Sequence, residues 1–165
     1  MPAPPNPPPV ALPRPPALRL RERSFDAASP AVMAIVNRTR DSFWSGNRHA
    51  DLDSARRALD AAVEDGADIV DVGGVRAGQE GERVDADEEI RRVVPFLQDA
   101  RERYPHLVLS LDTWRSEVAR AADGVVDLVN DTWAGHDPDL AGVAAQLGAG
   151  LVCSHTGGLP PRTDP

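Results

Sequence analysis

The chain has 165 residues, 41% of them apolar and 27% charged, and a net charge of −8. That composition is ordinary for a globular protein with one core, and the acidic balance, with no Lys/Arg cluster, argues against a nucleic-acid or anionic-membrane surface. No apolar stretch approaches the ~20 residues of a membrane helix. The single cysteine, Cys153, excludes a disulfide framework and suits a reducing cytoplasm.

Ten of the sixteen prolines fall within residues 1–30. Proline removes a backbone donor and fixes φ, so the run PPNPPPVALPRPP is excluded from helices and central strands. Residues 1–30 read as a Pro-rich disordered tail, polyproline-II-like over 1–17, with room for one short strand over 18–25. Proline also interrupts any apolar core of a signal peptide. Residues 31–165 form the ordered domain.

From Ala31 onward, apolar runs alternate with amphipathic stretches. AVMAIVN (31–37) is a continuous apolar run ending in a polar residue, the pattern of a strand buried on both faces. ADIVDVGG (67–74), LVLSLDT (107–113), GVVDLVND (124–131) and AGLVCSH (149–155) repeat it. Between them, residues 51–65 place Leu52, Ala55, Leu59, Ala62 and Val63 on one helical face, with Gly66 as the C′ residue. Residues 87–104 place Ile90, Val93, Val94, Leu97 and Ala100 on another, with Pro95 expected to kink or break that helix. Its charged start, 80–92, reads as a solvated face. Residues 115–122 form a short third helix. Asp137-Pro138 opens a fourth, which ends at Gly148.

Repeated βα units predict a parallel sheet with helices outside it, either doubly wound or a (β/α)8 barrel. The position of the polar residues favours the barrel. Each apolar strand ends in one: Asn37, Asp71, Asp112, Asn130 with Asp131, and His155. Such residues at a strand end commonly cap the next helix or a turn, but five in register on one rim is how a β/α barrel builds its site. A doubly wound sheet concentrates its chemistry at one crevice, often with a Gly-rich turn after its first strand; NRTRDSFWSGN lacks one. GGVRAGQEG lacks phosphate-loop spacing, and the four histidines lack metal-ligand spacing. Trp114 and Trp133 follow strand ends, where they either wall a flat-ring pocket or pack the barrel top.

These segments resemble the dihydropteroate synthase family. VMAIVNRTRDSF resembles its first strand and loop, Asn-x-Thr-Pro-Asp-Ser-Phe. GADIVDVGG, LSLDTWRSEVARAA, DLVNDTWAG and LVCSHTGG resemble its second to fifth strands. The resemblance implies the N-terminal five βα units of a TIM barrel, incomplete at Pro165, since a full barrel takes about 250 residues. It also implies condensation of 6-hydroxymethyl-7,8-dihydropterin pyrophosphate with p-aminobenzoate, Mg²⁺ at Asn37 and the pyrophosphate, and pterin contacts from Asp112 and Asn130. By the same likeness, Thr39, Asp41, Ser42 and Phe43 lie in the loop shaping the arylamine site, Arg76 stands in for a second-loop arginine, and the full-length protein forms a homodimer. No nucleophilic Ser/His/Asp or Cys/His set is present or needed, because leaving-group stabilisation and positioning carry such a reaction.

Two departures qualify the resemblance. The family's second loop, Gly-Gly-Glu-Ser-Thr-Arg-Pro-Gly, is replaced by the shorter GGVRAG (73–78), with Val75 at the glutamate position, and Arg40 replaces the first-loop proline. The family's later strands, with their Asp, Lys and Arg-x-His, lie beyond Pro165. The pattern is that of a diverged second-copy branch. A non-catalytic pterin-binding or regulatory paralogue, or a pterin-dependent methyltransferase of the same superfamily, are the competing readings.

Overall fold

A computed structural model describes residues 17–38, 52–76 and 83–155. A short antiparallel hairpin, β1 (Leu18–Leu20) and β2 (Arg23–Phe25), precedes five parallel strands: β3 (Met33–Asn37), β4 (Ile69–Gly73), β5 (Val108–Asp112), β6 (Leu128–Asp131) and β7 (Gly150–Cys153). The helices α1 (Leu52–Glu64), α2 (Ala86–Arg103), α3 (Ser116–Ala121) and α4 (Leu140–Gln146) connect the parallel strands in turn.

The sheet order is β3-β4-β5-β6-β7, the order of the chain itself. A doubly wound sheet reverses direction at a switch point; this one does not. Each helix packs against the next, α1 on α2, α2 on α3 and α3 on α4, so all four cover one face. A singly wound parallel sheet with one helical layer is an arc of a β/α barrel.

Alternation along the strands sorts the residues by face. Val36, Val70, Val72, Leu109, Leu111 and Val129 point outward into a core shared with Leu59, Val93, Phe96, Leu97, Val118 and Val143 of the helices. The opposite set faces the barrel interior. Its two outer strands are uncovered there: Ile35 of β3 is 52% exposed and Val152 of β7 is 39% exposed.

The hairpin lies within the stretch the prolines mark as a tail, yet residues 18–25 are structured. Leu20 and Phe25 plug the lower end of the arc against Ile69, Val108 and Leu128. Arg21 pairs with Asp127, and Arg23 with Asp68. Apolar burial gives this segment a place that composition alone does not reveal.

Three local readings are corrected. Pro95 does not break α2, which runs unbroken from Ala86 to Arg103. Pro95 and Arg91 both lie on the exposed face, so water can satisfy the Arg91 carbonyl that proline deprives of a donor. Asp137 does not open the fourth helix, whose N-cap is Asp139. Its carboxylate accepts from the Ser116 N–H at 2.7 Å, at the start of α3, and from the Asp139 N–H at 2.9 Å. The charged stretch 80–92 is not wholly solvated, because Glu89 is fully buried.

Gly74 lets the β4–α2 turn lie on α2. A Cβ there would sit 2.9 Å from Val93 Cγ1 and 3.0 Å from Glu89 Cγ. Both neighbours are buried and held, so Gly74→Ala is expected to cost about 1–3 kcal/mol of stability by overpacking. Urea unfolding of the variant measures this, and an unchanged midpoint would show that α2 yields freely.

Candidate active site

The inward residues form rows across the parallel register. One row runs Ile35, Asp71, Ser110, Leu128, Gly150; the next, at the C-terminal ends of the strands, runs Asn37, Gly73, Asp112, Asn130, Val152. Asn37, Asp112 and Asn130 therefore share one face and one end of the arc.

The lower row fixes the upper. Asp71 is buried, and its two oxygens accept from the Ser110 hydroxyl and from Asn130 Nδ2, the latter at 3.0 Å. With its amide nitrogen committed to Asp71, Asn130 has its carbonyl oxygen as the acceptor it can offer a ligand. Asp112 Oδ1 accepts from the Thr132 hydroxyl at 3.1 Å. Gly73 separates Asp112 from Asn37: a Cβ there would lie 3.2 Å from both Asp112 Oδ2 and Asn37 Oδ1. The missing side chain opens a space faced by two oxygens.

The rim is thus a row of acceptors: Asn37 Oδ1, Asp112 Oδ2 and Asn130 Oδ1. Burial raises the Asp71 carboxyl above the usual range, against the pull of its bonds to Ser110 and Asn130. Asp112 keeps some exposure at the mouth, but its carboxyl is crowded by protein. That desolvation, then the charge of Asp71, pushes its pKa to about 8; the Thr132 bond opposes the rise, while Glu89 and Asp131 add to it. A ligand offering N–H donors or positive charge relieves this accumulation.

Asp131 follows Asn130 but faces the other way. Its Oδ1 accepts from the Trp133 N–H at 2.9 Å and its Oδ2 from the Gly135 N–H at 2.6 Å, closing a turn. Trp114 and Trp133 meet edge-to-face, centroids 6.1 Å apart, and Trp114 is buried with Val75 and Val84. They pack the top of the arc. Glu89 pairs with Arg115, whose guanidinium also donates to the Val84 carbonyl at 2.8 Å and covers the Trp114 ring at 4.3 Å.

Arg76 lies half-buried just beyond β4, and His155 is exposed past the end of β7. Thr39, Asp41, Ser42 and Phe43 fall outside the described residues. Among the described residues, no group of three or more His, Cys, Asp or Glu side chains could hold a metal ion. No helix among them is long and apolar enough to cross a membrane. Asp71 was legible only as one more polar strand end; its alternation parity with Ser110 is the signal for its supporting place. Nothing in the sequence marks Thr132 as the partner of Asp112.

Residues 33–165 match the family model for pterin binding enzymes. The chain is 56% identical over 135 residues to a protein of Mycobacterium tuberculosis named inactive dihydropteroate synthase 2, covering 81% of this chain and 42% of that one. It is 37% identical over 127 residues to the dihydropteroate synthase of Streptococcus pyogenes serotype M1, covering 76% and 47%. The crystal structure of Yersinia pestis dihydropteroate synthase with a sulfonamide drug complex superposes with a TM-score of 0.78 at 31% identity, covering 88% of this chain and 52% of that one. The chain thus spans about half the length of the curated relatives it matches. The arc, its register and these matches agree: the chain belongs to the pterin-binding enzyme family and groups with its dihydropteroate synthases.

Proposed function

We propose that the rim row binds the donor edge of a pterin, and that the chain is a pterin-recognising relative of dihydropteroate synthase that does not complete the condensation with p-aminobenzoate. The acceptor row of Asn37, Asp112 and Asn130 carries the first half of this reading. A pterin's amino-pyrimidine presents an amino group and a ring N–H side by side, which a carboxylate accepts in two parallel bonds. The neighbouring carboxamide oxygen extends the same recognition.

The second half rests on the second loop. Val75 is buried with Val84 and Trp114, so this wall offers apolar surface where the family carries a Glu-Ser-Thr sequence. The mycobacterial relative is itself named inactive. The synthase reading keeps one specific observation in its favour, the Asn-x-Thr-x-Asp-Ser-Phe pattern of residues 37–43. In that reaction the arylamine nitrogen forms a bond to the pterin's exocyclic carbon as the carbon–oxygen bond to pyrophosphate breaks.

The donor set fits magnesium in one limited way. Mg²⁺ commonly takes one or two protein oxygens and completes its shell with water and substrate phosphates. Asn37 Oδ1, facing the space above Gly73, suits one such place. Bound there, the ion would neutralise charge on a pyrophosphate leaving group, while Asp112 and Asn130 orient the ring.

The test incubates the chain with 6-hydroxymethyl-7,8-dihydropterin pyrophosphate, p-aminobenzoate and Mg²⁺, following substrate binding by calorimetry and dihydropteroate by chromatography. Binding without product is expected. Product formation would restore the synthase reading, and absence of pterin binding would remove both.

A further inference from the structure

We propose that Trp133 is a positioning residue for the pterin site, acting through Thr132 to hold Asp112; this rests on the pterin reading for its consequence, though not for its geometry. Thr132 and Trp133 are adjacent in the chain and face opposite sides of the rim. The Thr132 hydroxyl reaches inward to Asp112 Oδ1 at 3.1 Å. The Trp133 ring reaches outward and meets Trp114 edge-to-face, with an interplanar angle of 82°.

The turn carrying the pair is tightly built. Both oxygens of Asp131 are engaged by the Trp133 and Gly135 N–H groups. Ala134 has φ +55° and Gly135 φ +76°. A residue with a Cβ seldom adopts the left-handed region and does so where its surroundings hold it there. Here the Asp131 carboxylate closes the turn, and the Trp133 indole, packed edge-to-face on Trp114, seats it against the rest of the rim.

That indole is anchored in turn. Trp114 lies beneath the Arg115 guanidinium, and Arg115 is tied to buried Glu89 of α2 and to the Val84 carbonyl. Val75 and Val84 close the cluster from the β4–α2 connection. Connections after β4, β5 and β6 are thereby clasped to one another. The clasp ends at Thr132, whose hydroxyl decides which Asp112 oxygen is occupied and leaves Oδ2 facing the space above Gly73. Without the ring, the turn loses its seat on Trp114 and Thr132 loses its aim.

The experiment uses the 165-residue chain with Trp133→Ala, Trp133→Leu, Trp133→Phe, Thr132→Val and the Thr132→Val/Trp133→Ala double variant. Amide hydrogen exchange at Thr113, Trp114 and Val75 needs no ligand. Trp133→Ala is expected to speed it about tenfold or more, and Trp133→Phe to hold it near wild type. Binding of 6-hydroxymethylpterin gives the second reading. Thr132→Val and Trp133→Ala are each expected to weaken it about tenfold, as for a lost bond to a charged acceptor. The double variant should also lose about tenfold, not a hundredfold, because both changes break one connection. Trp133→Leu supplies the same comparison if the alanine variant fails to fold. Unchanged exchange, or an additive loss of about a hundredfold in binding, overturns the proposal. A wild-type chain that shows the exchange pattern but binds no pterin upholds the clasp and overturns the pterin reading instead.

Discussion

Replacing Asp112 with asparagine is expected to make the chain more stable above neutral pH and a poorer ligand for pterins. Crowding and neighbouring carboxylates hold the Asp112 pKa at about 8 in the folded chain, against an ordinary 3.8. A carboxyl raised in this way favours the fold when protonated. Its contribution is complete below pH about 4 and is lost as pH climbs through about 8. Asparagine keeps the shape and never ionises, so the variant should lose less stability than the parent across that window. A rise of that size corresponds to about 6 kcal/mol at full weight, and exposure at the mouth screens part of it, leaving roughly 2 kcal/mol at pH 9. Urea unfolding at pH 5 and pH 9 separates the two proteins, and parallel curves would contradict the assignment. At pH 9, where Asp112 is ionised, affinity for 6-hydroxymethylpterin should fall between about tenfold and a hundredfold, since the variant loses a charged acceptor. A substitution that stabilises the fold while disabling the rim marks a group placed for binding.

Arg115→Met should do the reverse and destabilise the chain by about 3–5 kcal/mol at pH 7, because it leaves the buried Glu89 carboxylate without its cation. Glu89 is fully buried, and burial raises its pKa, against the pull of Thr113 and Arg115. Loss of Arg115 raises it further, so the penalty should shrink on acidification as Glu89 becomes neutral. The measurement is the difference in unfolding free energy between variant and parent at pH 7 and pH 4.5. A loss under about 1 kcal/mol at pH 7, typical of exposed pairs, would mean that water reaches Glu89. The effect should extend to the rim, since Arg115 also covers Trp114.

The barrel arc was legible because its strands are buried on both faces, so each reads as an apolar run closed by a polar residue. The common row of Asn37, Asp112 and Asn130 follows from strand parity, a property of one dimension that the parallel register carries into three. Asp71 and Asp131 show where that reasoning stops. Both are polar and near strand ends, yet one lies a row below the rim and the other faces away from it. Glu89 was hidden in a charged stretch because its partner, Arg115, lies 26 residues away. Residues 18–25 read as room for one short strand; that they form a hairpin was not legible, because what orders it is contact with Ile69, Val108 and Leu128, far along the chain. Asp137 looked like the start of its own helix, but its carboxylate serves the Ser116 N–H of the helix before.

The central claim is that a pterin is read at the C-terminal rim by the carboxamide and carboxylate row. The most direct measurement is the side-chain amide NMR spectrum of the chain during titration with 6-hydroxymethylpterin. The resonances of Asn37 and Asn130 should shift together and saturably, with Asp112→Asn abolishing the response at matched ligand concentration. Binding that leaves both amides unmoved, or that perturbs the hairpin end of the arc instead, would contradict it.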